Sequence, residues 1–175
     1  IGYWRDYCLR RNFTCPQIIV AGGFTRFHSV RNALDKVPDG AIVAVHDGVR
    51  PLVTSRLVRD MFEKAETVQS LVPVIPCTDT LKVLQKEGEE LKTVEGVVAD
   101  RSMLYAAQTP QIFHSEMLKS AYSLAYDTMF TDDASVMQKY GKSLSYMIGE
   151  RLNIKITTQE DLLLAEAVMS LRSKS

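Results

Sequence analysis

Cysteine is scarce in this sequence: Cys8, Cys15 and Cys77 stand alone, with no Cys-x-x-Cys pair and no Cys/His cluster. That argues against a disulfide framework or a structural zinc site, and a reducing cytoplasm is the simplest expected setting. An excess of one charge is lacking too. Lys plus Arg number 21 against 21 Asp plus Glu, so no global basic field points to nucleic acid and any phosphate site has to be built locally. No run approaches the ~18 apolar residues of a membrane span, and no charged-then-apolar leader reads as a signal peptide. Gly22-Gly23 followed by Ser29 has neither Walker spacing nor the dinucleotide-binding fingerprint. His28, His46 and His114 have no metal-ligand spacing, and Trp4 and the tyrosines form no stripe for stacked bases.

What is present suits one α/β domain over residues 1–175, with 46% hydrophobic and 24% charged residues. Residues 3–11 read as the last turns of a helix ending in basic residues. Residues 17–21 (QIIVA) read as a strand, and 25–36 as a helix with Phe27, Val30 and Leu34 on one face. The continuous apolar run 41–45 (AIVAV) predicts a strand buried on both faces, hence a parallel sheet. Thr54 is placed to cap a helix from Ser55 to about Val68, and 71–75 is a further strand. Residues 80–85 and 91–98 flank a charged turn and predict a projecting hairpin, polar on both faces, within an arm spanning 79–101. Then come a strand at 111–113, a helix at 116–126 capped by Ser115, a shorter helix at 134–140, strands at 144–148 and 153–156, and a closing helix at 158–171. Thr158 and Asp161 have capping-box spacing there. The alternation implies a doubly wound, mostly parallel sheet, in which ligands lie beyond the carboxyl ends of strands.

Four loops lie at that edge: 22–25, 46–51, 76–79 and 149–153. In the second, Asp47 is suited to hold a divalent cation beside substrate phosphates, and Gly48 allows close backbone approach. An Asp47–Arg50 ion pair closing the loop accounts for the same residues. Lys155 stands alone at the centre of an alternating segment, either as a phosphate ligand or as a charge that protects an edge strand. Thr131 precedes Asp132-Asp133-Ala134-Ser135 and is placed to cap a helix whose N-terminus favours anions. Asp100-Arg101, just after the hairpin, reads as a salt-bridged hinge or an anion clamp.

In order along the chain stand A-G-G-x-x-R-x-x-S-V (21–30), V-H-D-G-V-R-P (45–51), Asp79-Thr80 and Asp100-Arg101. Q-T-P-Q (108–111), T-D-D-A-S (131–135) and N-I-K-I-T (153–157) complete the series. This ordered set resembles the 2-C-methyl-D-erythritol 4-phosphate cytidylyltransferase family of the non-mevalonate isoprenoid pathway, over nearly the whole chain. The resemblance implies cytidylyl transfer from CTP to methylerythritol phosphate with Mg²⁺ as cofactor. It further implies that Gly23 and Ser29 contact the cytidine, that Asp47 lies by metal and phosphates, and that Gly48 and Arg50 shape the pocket. Thr80, Arg101 and Thr131 are implied to hold the methylerythritol phosphate, Thr109 to support that site, and Lys155 to face the α-phosphate. A homodimer joined through the 79–101 arm is also implied. Family members begin with a strand and a glycine-rich loop, and the sequence, opening on Ile1-Gly2 without an initiator Met, is expected to be a truncated and inactive chain. A ribitol- or other polyol-phosphate cytidylyltransferase, and a non-catalytic dimerisation scaffold, are the alternative readings.

Overall fold

A computed structural model describes residues 1–173. Along the chain come α1 (Gly2–Arg10), α2 (Arg26–Leu34), β1 (Ile42–Val45), α3 (Ser55–Ala65) and β2 (Ser70–Pro76). A hairpin of β3 (Leu84–Glu87) and β4 (Glu90–Thr93) follows, then a 3₁₀ turn (Arg101–Met103), β5 (Tyr105–Ala107) and β6 (Gln111–His114). The chain closes with α4 (Ser115–Ala121), α5 (Asp133–Lys139), β7 (Ser145–Ile148) and α6 (Gln159–Arg172). The backbone divides into two compact units. The first holds Ile1–Val45, Met61–Leu71 and Gln111–Ser145; the second holds His46–Asp60, Val72–Pro110 and the chain from Tyr146 on.

In the first unit the apolar spacing read from the sequence sets the core. Phe27 and Leu34 of α2 pack with Phe113, Leu118, Ala121, Tyr122, Val136 and Met137, and the Phe27 ring stacks on Tyr122 with centroids 4.7 Å apart. β6 runs antiparallel to β1 (Val43 opposite Phe113) and also to the start of β2 (Leu71 opposite Ile112). β1 and β2 therefore point the same way with β6 reversed between them, so both of these ladders are antiparallel. An apolar run reports burial and leaves the direction of the neighbouring strand open, which is why the sequence did not reveal this reversal. β1 is half-buried throughout.

Residues 17–21 form no strand. An apolar run becomes a strand only where a ladder partner is available, and none bonds this segment among the described residues. Ser115 does not cap α4. His114 holds that position, and the Ser115 hydroxyl accepts from the Ala41 N–H at 3.1 Å, tying the helix to the chain leading into β1.

In the second unit the rest of β2 pairs antiparallel with β5 (Val74 opposite Ala107), a strand too short and exposed to show a sequence period. Residues 153–156 form no strand; Ile154 and Ile156 instead pack on Leu52, Ala165 and Val168, the small core beneath α6. Thr54 caps α3 as expected, accepting from the Leu57 N–H at 3.1 Å. Thr158 and Asp161 form the capping box at the start of α6. The β3–β4 hairpin is exposed along both strands and is shorter than the sequence suggests. Among the described residues no helix is long and apolar enough to cross a membrane.

Candidate active site

In the second unit, residues 46–51 fold back on themselves: the Arg50 N–H donates to the Asp47 carbonyl at 3.0 Å. That turn brings the Arg50 guanidinium to the Asp47 carboxylate, Nε to Oδ2 at 3.3 Å, with both side chains largely buried. Lys155 reaches the same oxygen, Nζ to Oδ2 at 3.4 Å, and is itself about half exposed. One carboxylate thus holds two cations, and the group keeps a net positive charge able to meet an anionic ligand.

The backbone around this group is pinned by polar side chains. The Asp47 N–H donates to Thr109 Oγ1 at 2.9 Å, and Thr109 Oγ1 lies 3.0 Å from His46 Nδ1. His46 Nε2 faces the Arg50 carbonyl at 3.1 Å. These partners assign the ring proton to Nε2 and let the Thr109 hydroxyl donate to Nδ1. Thr109 is thereby occupied in holding the 46–50 turn.

Asn153 is fully buried and fixes the other side. Its Nδ2 donates to the Thr109 carbonyl at 2.8 Å, and its own carbonyl accepts from Arg50 Nη1 at 2.9 Å. Gln108, also buried, exchanges hydrogen bonds with the Glu150 backbone (Nε2 to carbonyl 2.8 Å, N–H to Oε1 3.1 Å). Sequence reading missed His46, Asn153 and Gln108 as structural supports. The signal was their place inside the same short motifs as Asp47, Lys155 and Thr109. Because 153–156 is no strand, Lys155 protects no strand edge, and that reading of it falls.

Gly48 has open space where a Cβ would stand, so it is not there to avoid a clash. Thr80 is exposed. Arg101 opens the 3₁₀ turn at the base of the arm, and its Nη1 donates to the Thr78 carbonyl at 3.0 Å. The Asp100 carboxylate caps that turn through the Ser102 hydroxyl (2.7 Å) and N–H (2.9 Å), which hold it below the usual carboxylate range. The Asp100–Arg101 pair is therefore a capped turn and not a salt-bridged hinge.

In the first unit, Gly23 and Ser29 are brought together: the Gly23 N–H donates to Ser29 Oγ at 3.0 Å, and that hydroxyl donates to the Thr25 carbonyl at 3.0 Å. A Cβ on Gly23 would lie 2.4 Å from His28 Cβ, so only glycine fits. Thr131 is exposed and does not cap α5. Asp132 does, accepting from the Ser135 N–H at 2.8 Å, because its carboxylate sits at the N-cap one residue later. Asp133, fully buried, receives both terminal nitrogens of Arg26 (3.1 and 2.5 Å) and the Tyr122 hydroxyl. Burial, and then the Asp133 charge, push the Tyr122 hydroxyl far above its ordinary value, so it serves as a fixed donor.

Comparison with known proteins gives one consistent result. The family model described as 2-C-methyl-D-erythritol 4-phosphate cytidylyltransferase matches residues 9–171. The protein of that name from Porphyromonas gingivalis is 41% identical over 170 residues, covering 97% of this chain and 73% of its own length. That from Phocaeicola vulgatus is 41% identical over 168 residues, covering 96% and 74%. The crystal structure of the Thermus thermophilus protein superposes with a TM-score of 0.72 at 35% identity, over 86% of this chain and 72% of that one. The Francisella tularensis structure gives 0.75 at 29%, over 89% and 73%. The α/β fold is shared with these structures.

Proposed function

From the premise that the chain belongs to the 2-C-methyl-D-erythritol 4-phosphate cytidylyltransferase family, and so is a nucleotidyltransferase, we propose how its own residues serve the reaction. A phosphate oxygen of 2-C-methyl-D-erythritol 4-phosphate attacks the α-phosphorus of CTP. The bond from that phosphorus to the bridging oxygen breaks, and pyrophosphate leaves with the electron pair. The attacking oxygen is already anionic, so no protein base or nucleophile is required, and catalysis rests on positioning and on cations that meet the growing charge.

One observation carries this reading: the two cations on Asp47 Oδ2, Lys155 Nζ at 3.4 Å and Arg50 Nε at 3.3 Å. Lys155, the more exposed, is the donor proposed to face the α-phosphate; Arg50, buried and bonded to the Asn153 carbonyl, fixes the carboxylate. Thr109 supports the turn. In the first unit, Gly23 and Ser29 are proposed to contact the cytidine and Thr131 the methylerythritol phosphate.

Magnesium fits the donor set. No group of three or more His, Cys, Asp or Glu able to hold an ion occurs among the described residues. An ion that keeps its waters and takes one carboxylate plus substrate phosphates needs no such group. Asp47 would hold it, and when bound it supplies charge neutralisation on the phosphates.

The arm, exposed on both faces, supports a two-fold dimer in which Thr80 and Arg101 serve the neighbouring subunit's methylerythritol phosphate. Pyrophosphate release from CTP in the presence of Mg²⁺, dependent on 2-C-methyl-D-erythritol 4-phosphate, tests the function in a chain that carries the family's N-terminal strand and glycine-rich loop. Release with ribitol phosphate in its place would redirect the substrate assignment.

A further inference from the structure

Two short polar modules of the first unit are joined by an ion pair, alongside the apolar stacking of Phe27 on Phe130. The turn 22–29 is closed on itself by Gly23, Ser29 and Thr25, and Asn32 Nδ2 adds a bond to the Ala21 carbonyl at 3.3 Å. The start of α5 is likewise self-bonded. Buried Gln111 donates to Asp132 Oδ2 at 2.7 Å and accepts from the Ala134 N–H at 2.9 Å, while Asp132 and Ser135 cap each other. Arg26, in the first module, and Asp133, in the second, are 107 positions apart and meet in a two-pronged contact.

We propose that this Arg26–Asp133 pair locks the 22–29 turn and the 131–135 segment in one register, which makes Asp133 a positioning residue for Gly23 and Ser29 on one side and Thr131 on the other. The inference rests on the roles proposed above for those three residues.

The energetics favour a geometric role. Asp133 is fully buried and Arg26 about a third exposed. A buried carboxylate loses so much hydration that its ion pair adds little net stability over apolar side chains of the same volume. A pair meant only to stabilise the core would be replaceable in that way. What apolar packing does not supply is direction. The planar guanidinium fork on a carboxylate whose third bond comes from Tyr122 fixes distance and angle together.

Hydrogen exchange on the substrate-free protein tests this without relying on the activity. Arg26→Lys keeps the charge and the Tyr122–Asp133 bond but has one contact point in place of the fork. In this variant the amides of both 22–29 and 131–135 are expected to exchange about tenfold faster or more, with β6 amides unchanged. Acceleration in only one segment, in neither, or equally in β6 would overturn the proposal. Asp133→Asn is the second variant, read the same way if it folds. Kinetically, Arg26→Lys should raise KM for both CTP and 2-C-methyl-D-erythritol 4-phosphate by about tenfold. Simple loss of stability would lower the amount of active enzyme, hence apparent kcat, and leave KM alone; that result also overturns it. No turnover in a chain that carries the family's N-terminal strand and glycine-rich loop would defeat the proposed function, while the exchange data would still decide the coupling.

Discussion

Asp47 Oδ2 lies 3.4 Å from Lys155 Nζ, and the same oxygen takes Arg50 Nε at 3.3 Å. The two cations differ in freedom. Arg50 is largely buried and also bonded to the Asn153 carbonyl, whereas Lys155 is about half exposed. Lys155 is therefore the cation able to exchange its carboxylate contact for a substrate oxygen. In a chain with its N-terminal strand and glycine-rich loop restored, Lys155→Ala should lower kcat by about 10²–10³, the usual loss for one preorganised transition-state donor, with little change in KM for CTP. Steady-state pyrophosphate release checks this, and an unchanged kcat would remove Lys155 from the chemistry.

Much of this cluster was legible because strand-end loops concentrate function: Asp47 follows an apolar run, and a lone lysine among β-branched residues is conspicuous. The motifs also marked Gly23 and Ser29, and the structure joins them directly. The supports were not legible. Asn153 and Gln108 act through buried amides whose partners lie far along the chain, and no local period encodes such contacts. Thr54 and Thr158 cap their helices as read, whereas the residues beside Ser115 and Thr131, His114 and Asp132, take the caps assigned to those two. Apolarity alone does not make a strand. Residues 17–21 and 153–156 have the composition of strands, but a ladder depends on a partner edge, which composition does not carry.

Gly23 is fixed by contact rather than by backbone angle. A Cβ there would stand 2.4 Å from His28 Cβ and 3.0 Å from the His28 carbonyl carbon, in the first turn of α2. Gly23→Ala should cost about 1–3 kcal/mol, as overpacking does, through displacement of the Gly23–Ser29 bond. CTP titration by calorimetry should show that loss in affinity. Gly22→Ala, whose Cβ would meet the Ser29 hydroxyl at 3.2 Å, should be milder. Equal effects would count against the close-approach account.

Asp161 gives a pH-dependent signature. Its Oδ2 accepts from the Thr157 N–H, the Thr157 hydroxyl and the Thr158 N–H, each at 2.9 Å, and these bonds hold it below the usual carboxylate range. A depressed folded-state pKa adds stability that is fully present above the unfolded value of about 3.9 and is lost as pH falls through the folded one. Asp161→Ala should therefore lower Tm by a constant amount from neutral pH down to about 5, with the gap closing at more acid pH. Thermal melts of both proteins across that range provide the check. A gap that persists undiminished in acid would assign the effect to helix propensity.

The arm offers the sharpest test of assembly. Leu84 and Leu91 are exposed on its two strands, and an isolated hairpin is marginal in water, so the arm calls for a partner surface. Arg101 stands at the arm's base with its guanidinium on the Thr78 carbonyl, and Asp100 caps the same turn, so arm and arginine would move as one piece. In a two-fold dimer with crossing arms, Arg101 of one subunit serves the site that holds Lys155 of the other. Two inactive variants, Arg101→Ala and Lys155→Ala, are mixed under conditions that exchange subunits. Half of the randomly paired dimers are then hybrids, and each hybrid has one of two sites with both residues intact. About a quarter of wild-type activity should return. If each arm folds back on its own subunit, every site lacks one of the two residues and nothing returns. Exchange followed by mass spectrometry, with hybrids present and no activity regained, would refute the crossing arm.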